Sequence, residues 1–162
     1  MSFPFLCYSL CMCDFYRNGL KFECNGCSYC CRFEGGVVLL SEDDLNRLTV
    51  HEKLTREQFT QVYCRYETDD SGKTFLILKT LSNGDCIFWN KDLCGGKGGC
   101  SCYEARPVQC STYPFWTKIL SSEEAWNAEA AKCPSINCGM LHTKEEIEEQ
   151  LKLYKERLPL EK

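Results

Sequence analysis

Residues 22–32 read FECNGCSYCCR, and this stretch decides the fold because four of its eleven residues are cysteines. They form a C-x-x-C-x-x-C-C run made of Cys24, Cys27, Cys30 and Cys31. Spacings of three bring sulfurs to one side of a tight loop, and thiolates are good ligands for zinc, iron and iron–sulfur clusters. Neighbouring cysteines are expected to diverge, so Cys30 and Cys31 are not expected to share one mononuclear site. The run therefore predicts two centres, or one centre and one free thiol.

The cysteine content calls for a specific explanation, because 15 of the 162 residues are cysteine. The main alternative to metal is a disulfide knot, but disulfides need an oxidising compartment, and an odd number excludes complete pairing. A looser alternative is that single cysteines act as small buried apolar residues. The net charge is −4 and the chain lacks a Lys/Arg-rich stripe. No nucleic-acid partner is therefore expected.

The beginning of the chain, MSFPFLCYSLCMC, is apolar but lacks the basic segment and the cleavage site of a signal peptide. It is also too short to span a membrane. We expect a cytoplasmic protein with no membrane partner, in which thiols stay reduced. Residues 1–13 are expected to be an appendage, and translation is suspected to begin at Met12. We expect a cysteine-cluster metal-binding domain over 14–142 and a helix packed on it over 143–162.

The remaining patterns predict an α+β fold: one small, metal-stabilised domain with a short antiparallel sheet or hairpins, several short helices and a C-terminal helix. Residues 63–68 and 74–80 are rich in β-formers around a turn and predict a hairpin, and VVLL at 37–40 predicts a short buried strand. Residues 122–131 predict a helix. Capping-box pairs predict three further helix starts, at Ser41 with Asp44, Thr55 with Gln58, and Thr143 with Glu146.

A second cysteine-rich stretch, CGGKGGCSC at 94–102, lacks the spacing of a phosphate-binding loop and is interpreted as a flexible turn that lets Cys100 approach a metal. Pro107 fits the first position of a helix, which places Cys110 in the first turn. There the helix dipole stabilises a thiolate. Arg106 would help to offset the net charge of −2 that four thiolates leave around a divalent ion. It is therefore a candidate cofactor-binding residue.

These motifs occur together in a specific order. The order is Phe22, Cys24, Cys27, Cys30, Cys31 and Arg32, then Cys86-Ile87-Phe88, then Cys100, Tyr103, Arg106, Pro107 and Cys110, then Pro114-Phe115. The combination resembles the YkgJ-type cysteine-cluster family, whose domain is described as zinc- or iron-chelating. The resemblance covers the chain from about residue 15 to the last helix. It implies as metal ligands Cys24, Cys27, Cys30, Cys31, Cys86, Cys100, Cys110 and Cys133. The family position of Cys102 is usually apolar and Cys94 is an insertion, so the choice among Cys94, Cys100 and Cys102 stays open.

The leading hypothesis is a metal-binding protein that chelates zinc or iron, with eight ligands serving two four-coordinate centres. Metal ions are the expected partners, and an iron–sulfur cluster is an alternative form of the cofactor. The first alternative function is an iron–sulfur enzyme or electron carrier, for example an accessory to methyl transfer, because a similar cluster occurs in bacterial flagellin lysine N-methylases. The second is a zinc-stabilised interaction module. No catalytic dyad is evident, and Cys64 and Cys138 are expected to be bystanders.

Overall fold

The computed structural model describes residues 15–32 and 35–162. The expectations for the appendage and for Met12 fall on residues outside this part of the chain. The described residues fold as α+β, as predicted, and their helices and strands alternate irregularly. In chain order these are β1 Leu20–Phe22, α1 Tyr29–Arg32, α2 Glu42–Glu52, α3 Arg56–Tyr63, β2 Cys64–Thr68, β3 Thr74–Leu78, β4 Trp89–Asn90, β5 Gly99–Cys100, α4 Val108–Ser111, α5 Glu123–Ala130, β6 Ile136–His142 and α6 Lys144–Glu156.

The three predicted capping boxes form at the starts of α2, α3 and α6. In each, the hydroxyl of the first residue accepts a hydrogen bond from the backbone N–H three positions later. The side chain of that later residue accepts one from the backbone N–H of the first. The boxes satisfy N–H groups that have no partner inside the helix, which is why these starts could be located from the sequence.

The strands form three antiparallel pairs, β1 with β6, β2 with β3, and β4 with β5. The pair β2–β3 is the predicted hairpin. Residues 37–40 do not form the predicted strand, although they run beside β3. Leu40 N–H donates to the Leu76 carbonyl and Leu78 N–H donates to the Val38 carbonyl. The helix cap at Ser41 follows at once, so the pairing ends before a regular ladder is established.

The apolar residues gather in two clusters that lie on different parts of the chain. The first cluster is built on α2, α3 and the β2–β3 hairpin and includes Leu48, Phe59 and Leu76. The second is built on β1, α5, β6 and α6 and includes Trp126 and Ile147. Helix α6 packs on the second cluster through Ile147, which is completely buried. Among the described residues, no helix is long and apolar enough to cross a membrane.

Candidate metal centre

A cavity of about 220 Å³ is walled by residues of both apolar clusters. Leu78 and Phe88 of the first cluster face it, as do Phe22 and Tyr113 of the second. The rest of its wall is rich in sulfur. The cysteines that line the cavity are Cys24, Cys30, Cys31, Cys86, Cys94, Cys100, Cys102 and Cys110. Six of the eight ligands that the family resemblance implies are in this set, and the other two, Cys27 and Cys133, are not.

The C-x-x-C-x-x-C-C run reaches the cavity through a loop that curls back on itself. Gly26 and Ser28 have positive φ angles of 70° and 62°, which turn the chain sharply before α1. Asn25 holds this turn in place, since its side chain accepts a hydrogen bond from Cys27 N–H at 3.1 Å. Its own N–H donates to the Ser135 hydroxyl at 3.0 Å. The loop is thus attached to the segment that carries Cys133.

Cys30 and Cys31 do not diverge, and this expectation from the sequence was wrong. Their sulfurs are 3.9 Å apart. Both residues lie in α1, where successive side chains are about 100° apart around the axis rather than on opposite faces as in a strand. Both thiols can therefore turn towards the same cavity. The pKa of Cys30 is lowered, chiefly by a hydrogen bond from the Cys31 thiol, and the pKa of Cys31 is raised by the same contact.

Cys86 is held directly against the cysteine run. Its N–H donates to the Cys31 carbonyl at 2.8 Å. Beside it, Arg32 forms a 3.0 Å ion pair with the buried carboxylate of Asp85 and stacks over the Trp89 ring at 4.2 Å. Burial raises the pKa of the Cys86 thiol to about 11. These contacts join segments that are more than fifty residues apart in sequence.

Cys110 is brought to the cavity by the short helix α4. The Asp44 carboxylate accepts a hydrogen bond from Val108 N–H at 2.8 Å and so ties the start of α4 to α2. The buried side chain of Gln109 donates to the Val37 carbonyl at 2.7 Å, which ties α4 to residues 37–40. Pro107 immediately precedes the helix instead of occupying its first position. Burial raises the pKa of the Cys110 thiol well above its ordinary value.

Cys100 reaches the cavity from β5, whose pairing with β4 places it opposite Trp89. Its sulfur is 3.5 Å from that of Cys102. The pKa of Cys100 is lowered by the hydrogen bond from the Cys102 thiol and by the charge of Arg106. The sequence left Cys102 only as an alternative to Cys100, whereas the structure places both thiols at the cavity.

Arg106 lines the cavity. Its guanidinium stacks over the ring of Tyr103 with 3.9 Å to the ring centroid. The same charge contributes to the lowered pKa of Cys30 and of Cys100, after the hydrogen bonds from their neighbouring thiols. Arg106 therefore supplies positive charge close to Cys30 and Cys100.

Cys27 and Cys133 form a separate pair next to the cavity. Their thiols interact with each other, and burial with this contact raises the pKa of Cys27. The hydroxyl of Tyr113 donates to the Glu129 carboxylate at 2.9 Å and also contacts the Cys133 thiol. Tyr113 also lines the cavity, so one side chain contacts both the cavity and this pair. Six of the eight implied ligands thus line the cavity, and the other two contact each other.

The two expected bystanders lie away from the cavity wall. Cys64 is buried in the first apolar cluster, where burial raises its pKa to about 12. Cys138 is exposed on β6. Neither histidine lines the cavity: His51 contacts Glu52 at 3.0 Å, and His142 contacts the Phe22 carbonyl at 2.9 Å. Sulfur is therefore the dominant donor at this cavity.

The donor set fits a metal that prefers sulfur. Sulfurs around a tetrahedral zinc ion with bonds of about 2.3 Å are about 3.8 Å apart. The Cys30–Cys31 and Cys100–Cys102 separations of 3.9 Å and 3.5 Å are close to that value. Within residues 15–32 and 35–162, however, no three His, Cys, Asp or Glu side chains are already arranged to hold a metal ion. The thiols that contact each other at the cavity are near neighbours in sequence, and rotation of side chains would be needed to complete a site.

The fold and this cavity define a class, namely a small cysteine-rich α+β domain with a sulfur-lined cavity between two apolar clusters. Residues 23–134 match the protein family described as "CxxCxxCC: Putative zinc- or iron-chelating domain". The match covers more than half of the chain, and the chain belongs to this family. The resemblance noted from the sequence is thereby confirmed.

Two relatives come from the archaeon Methanocaldococcus jannaschii, and both are uncharacterized proteins. One is 26% identical over 110 residues, which are 68% of this chain and 53% of the relative. The other is 25% identical over 142 residues, which are 86% of this chain and 45% of the relative. The chain thus spans about half the length of the curated relatives it matches. No solved structure matches it.

Proposed function

We propose that this protein binds zinc or iron through the thiolates of the cavity. One observation carries the proposal: thiols from the cysteine run, from Cys86, from Cys100 and from Cys110 converge on one cavity from four separate parts of the chain. Core packing alone does not explain this arrangement, because Cys30 is exposed and Cys86, Cys100 and Cys110 are only partly buried. Thiolate is the ligand shared by zinc sites and iron–sulfur clusters.

Charge supports the same proposal. Several thiolates in one cavity repel each other unless cations balance them. A divalent metal offsets half of the charge of four thiolates, and Arg106 at the cavity wall offsets part of the remainder. We place the protein in the cytoplasm, where thiols stay reduced and available to metal. The proposed unit is the domain over 14–142 with the helix over 143–162 packed on it.

The second candidate function is an iron–sulfur protein that carries electrons or assists an enzyme, for example in methyl transfer. The exposure of Cys24 and Cys30 favours it, because these thiols bring the site to the surface of the protein. A metal centre bound there would be accessible to a redox partner or a substrate. A closed zinc site with four thiolates lacks such an open position.

Anaerobic purification, followed by metal analysis and a visible spectrum, tests both candidates. Zinc in stoichiometric amount with a colourless protein supports the zinc site. A brown protein with equal amounts of iron and acid-labile sulfide supports the iron–sulfur candidate. A folded, fully reduced protein that binds neither metal, even when zinc or iron with sulfide is supplied, contradicts the proposal.

A further inference from the structure

The sequence offers Cys102 as a possible replacement for Cys100, but not as a ligand that acts beside it. Cys102 is buried to 1% exposure in the first apolar cluster. If burial were the only observation, Cys102 could be a small thiol that merely packs in the core. Two contacts distinguish it from a packed thiol: it lines the cavity, and its sulfur is 3.5 Å from that of Cys100.

Cys64 provides the comparison within the same protein. It is buried to 5% exposure in the same apolar cluster, so the two cysteines share their packing environment. Cys64 is not part of the cavity wall, and burial is the main cause of its raised pKa. The Cys102 sulfur, by contrast, is 3.5 Å from that of Cys100, and Cys102 lines the cavity together with Cys86 and Cys110. Of these two cysteines, only Cys102 lies close to other sulfurs.

With Cys102 included, the cavity wall holds two close thiol pairs, Cys30 with Cys31 at 3.9 Å and Cys100 with Cys102 at 3.5 Å. Cys86 and Cys110 line the same cavity and bring this set to six thiols. A single tetrahedral ion uses four thiolates, so it would leave two of the six unbound. Two tetrahedral ions need eight bonds, and six thiolates supply them when two of the sulfurs bridge. Six-cysteine, two-zinc modules are an established arrangement in proteins.

We propose that Cys102 is a metal ligand that acts with Cys100 as a dithiolate pair, and that the six thiolates hold two divalent ions with two shared sulfurs. This inference rests on the proposed metal-binding function. Each thiol releases its proton to solvent as it binds, and no electrons are transferred. Six thiolates and two divalent ions leave a net charge of −2, and Arg106 at the cavity wall offsets part of it.

The test compares Cys102→Ser and Cys102→Val with Cys64→Ser and Cys64→Val, all loaded with zinc under reducing, oxygen-free conditions. We expect two zinc ions per chain in the wild type and in both Cys64 variants. Both Cys102 variants should lose at least one zinc. The zinc affinity of both Cys102 variants is measured by competition with a chromogenic chelator. It should fall at least roughly 10- to 100-fold, which is the loss typical of removing an outer-shell partner.

A direct measurement on the wild type guards against variants that fail to fold. In protein loaded with an NMR-active cadmium isotope, through-bond coupling should connect the Cβ protons of Cys102 to bound cadmium. Two cadmium signals should couple to cysteines of the cavity. Absence of coupling to Cys102, a single cadmium in the cavity, or wild-type zinc binding by the Cys102 variants would overturn the inference. Those results would leave metal binding intact, whereas a wild type that binds no metal would refute the proposed function itself.

Discussion

At the scale of single residues, the thiols of this protein differ mainly in what surrounds them. Cys110 is half-buried beside other sulfurs, and its pKa is raised well above the ordinary value. Cys138 is exposed on a strand. A metal that binds at Cys110 must displace a firmly held proton, so binding is expected to weaken as the pH falls. Cys110 and Cys138 thus carry the same functional group in different surroundings.

The first prediction concerns this contrast. Cys110→Ser should reduce the metal bound per chain, because a hydroxyl is a poor replacement for a soft thiolate. The matched variant Cys138→Ser should retain the wild-type amount. Metal analysis under reducing, oxygen-free conditions is the measurement. Full metal in Cys110→Ser together with loss in Cys138→Ser would show that the cavity is not the metal site.

The second prediction concerns Cys64 and alkaline pH. Burial raises its pKa from 9.0 to about 12, so folding favours the protonated thiol. The resulting stability is fully present below pH 9.0 and is lost as the pH rises towards 12. Between pH 7.5 and pH 10 the wild type should lose about 1 kcal/mol more unfolding free energy than Cys64→Val does. Urea unfolding at both pH values is the measurement, and equal losses in both proteins would contradict the prediction.

At the scale of elements, short helices are positioned by buried polar side chains. Asp44 is completely buried in α2. It accepts hydrogen bonds from the Ser41 backbone at 3.0 Å and from Val108 at the start of α4 at 2.8 Å, and it pairs with Arg47 at 2.6 Å. A four-residue helix has little stability by itself. The position of Cys110 therefore depends on contacts that α4 makes with α2.

The third prediction tests this dependence. Asp44→Asn should lower the free energy of unfolding by about 2–3 kcal/mol, because hydrogen bonds to a buried carboxylate are lost. It should also weaken metal binding, because the start of α4 loses its anchor. Asp43→Asn is the control, since Asp43 is exposed in the same helical turn and should change stability by less than about 0.5 kcal/mol. Urea unfolding and metal competition provide the measurements. Equal effects of the two substitutions would contradict the role of Asp44.

At the scale of the whole molecule, the cavity lies where the two apolar clusters meet. Phe88 belongs to one cluster and Tyr113 to the other, and both line the cavity. Segments that pack on each of the two apolar clusters carry thiols that line this cavity. A metal bound there would connect the two clusters, so its binding free energy would contribute to the stability of the whole fold.

The fourth prediction follows from this arrangement. Complete removal of metal by a chelator under reducing conditions should lower the melting temperature by on the order of 10 °C. A ligand present at a thousand times its dissociation constant adds about 4 kcal/mol, and each kcal/mol shifts the melting temperature by about 2–4 °C at this chain length. Scanning calorimetry of loaded and metal-free protein is the measurement. Re-addition of zinc should restore the original value, and unchanged melting after verified removal would refute the coupling.

The sequence by itself determined the features that depend on neighbouring residues. The capping boxes, the β2–β3 hairpin and the C-terminal helix were predicted because their hydrogen bonds and periodicity are local. The cysteine run and the family resemblance indicated sulfur as the metal donor. This was possible because ligand type and spacing are also local features of the sequence. The pairing of β1 with β6 was missed, because its partners are more than a hundred residues apart.

Only the tertiary structure decided how the thiols are grouped. The helical turn of α1 brings Cys30 and Cys31 together, which spacing alone did not indicate. The cavity admits Cys102, whereas Cys27 and Cys133 form a pair outside it. Such grouping depends on distances between segments joined by long loops, and the packing of the two apolar clusters fixes those distances. Sequence spacing constrains ligands within one loop, but only packing determines which loops meet.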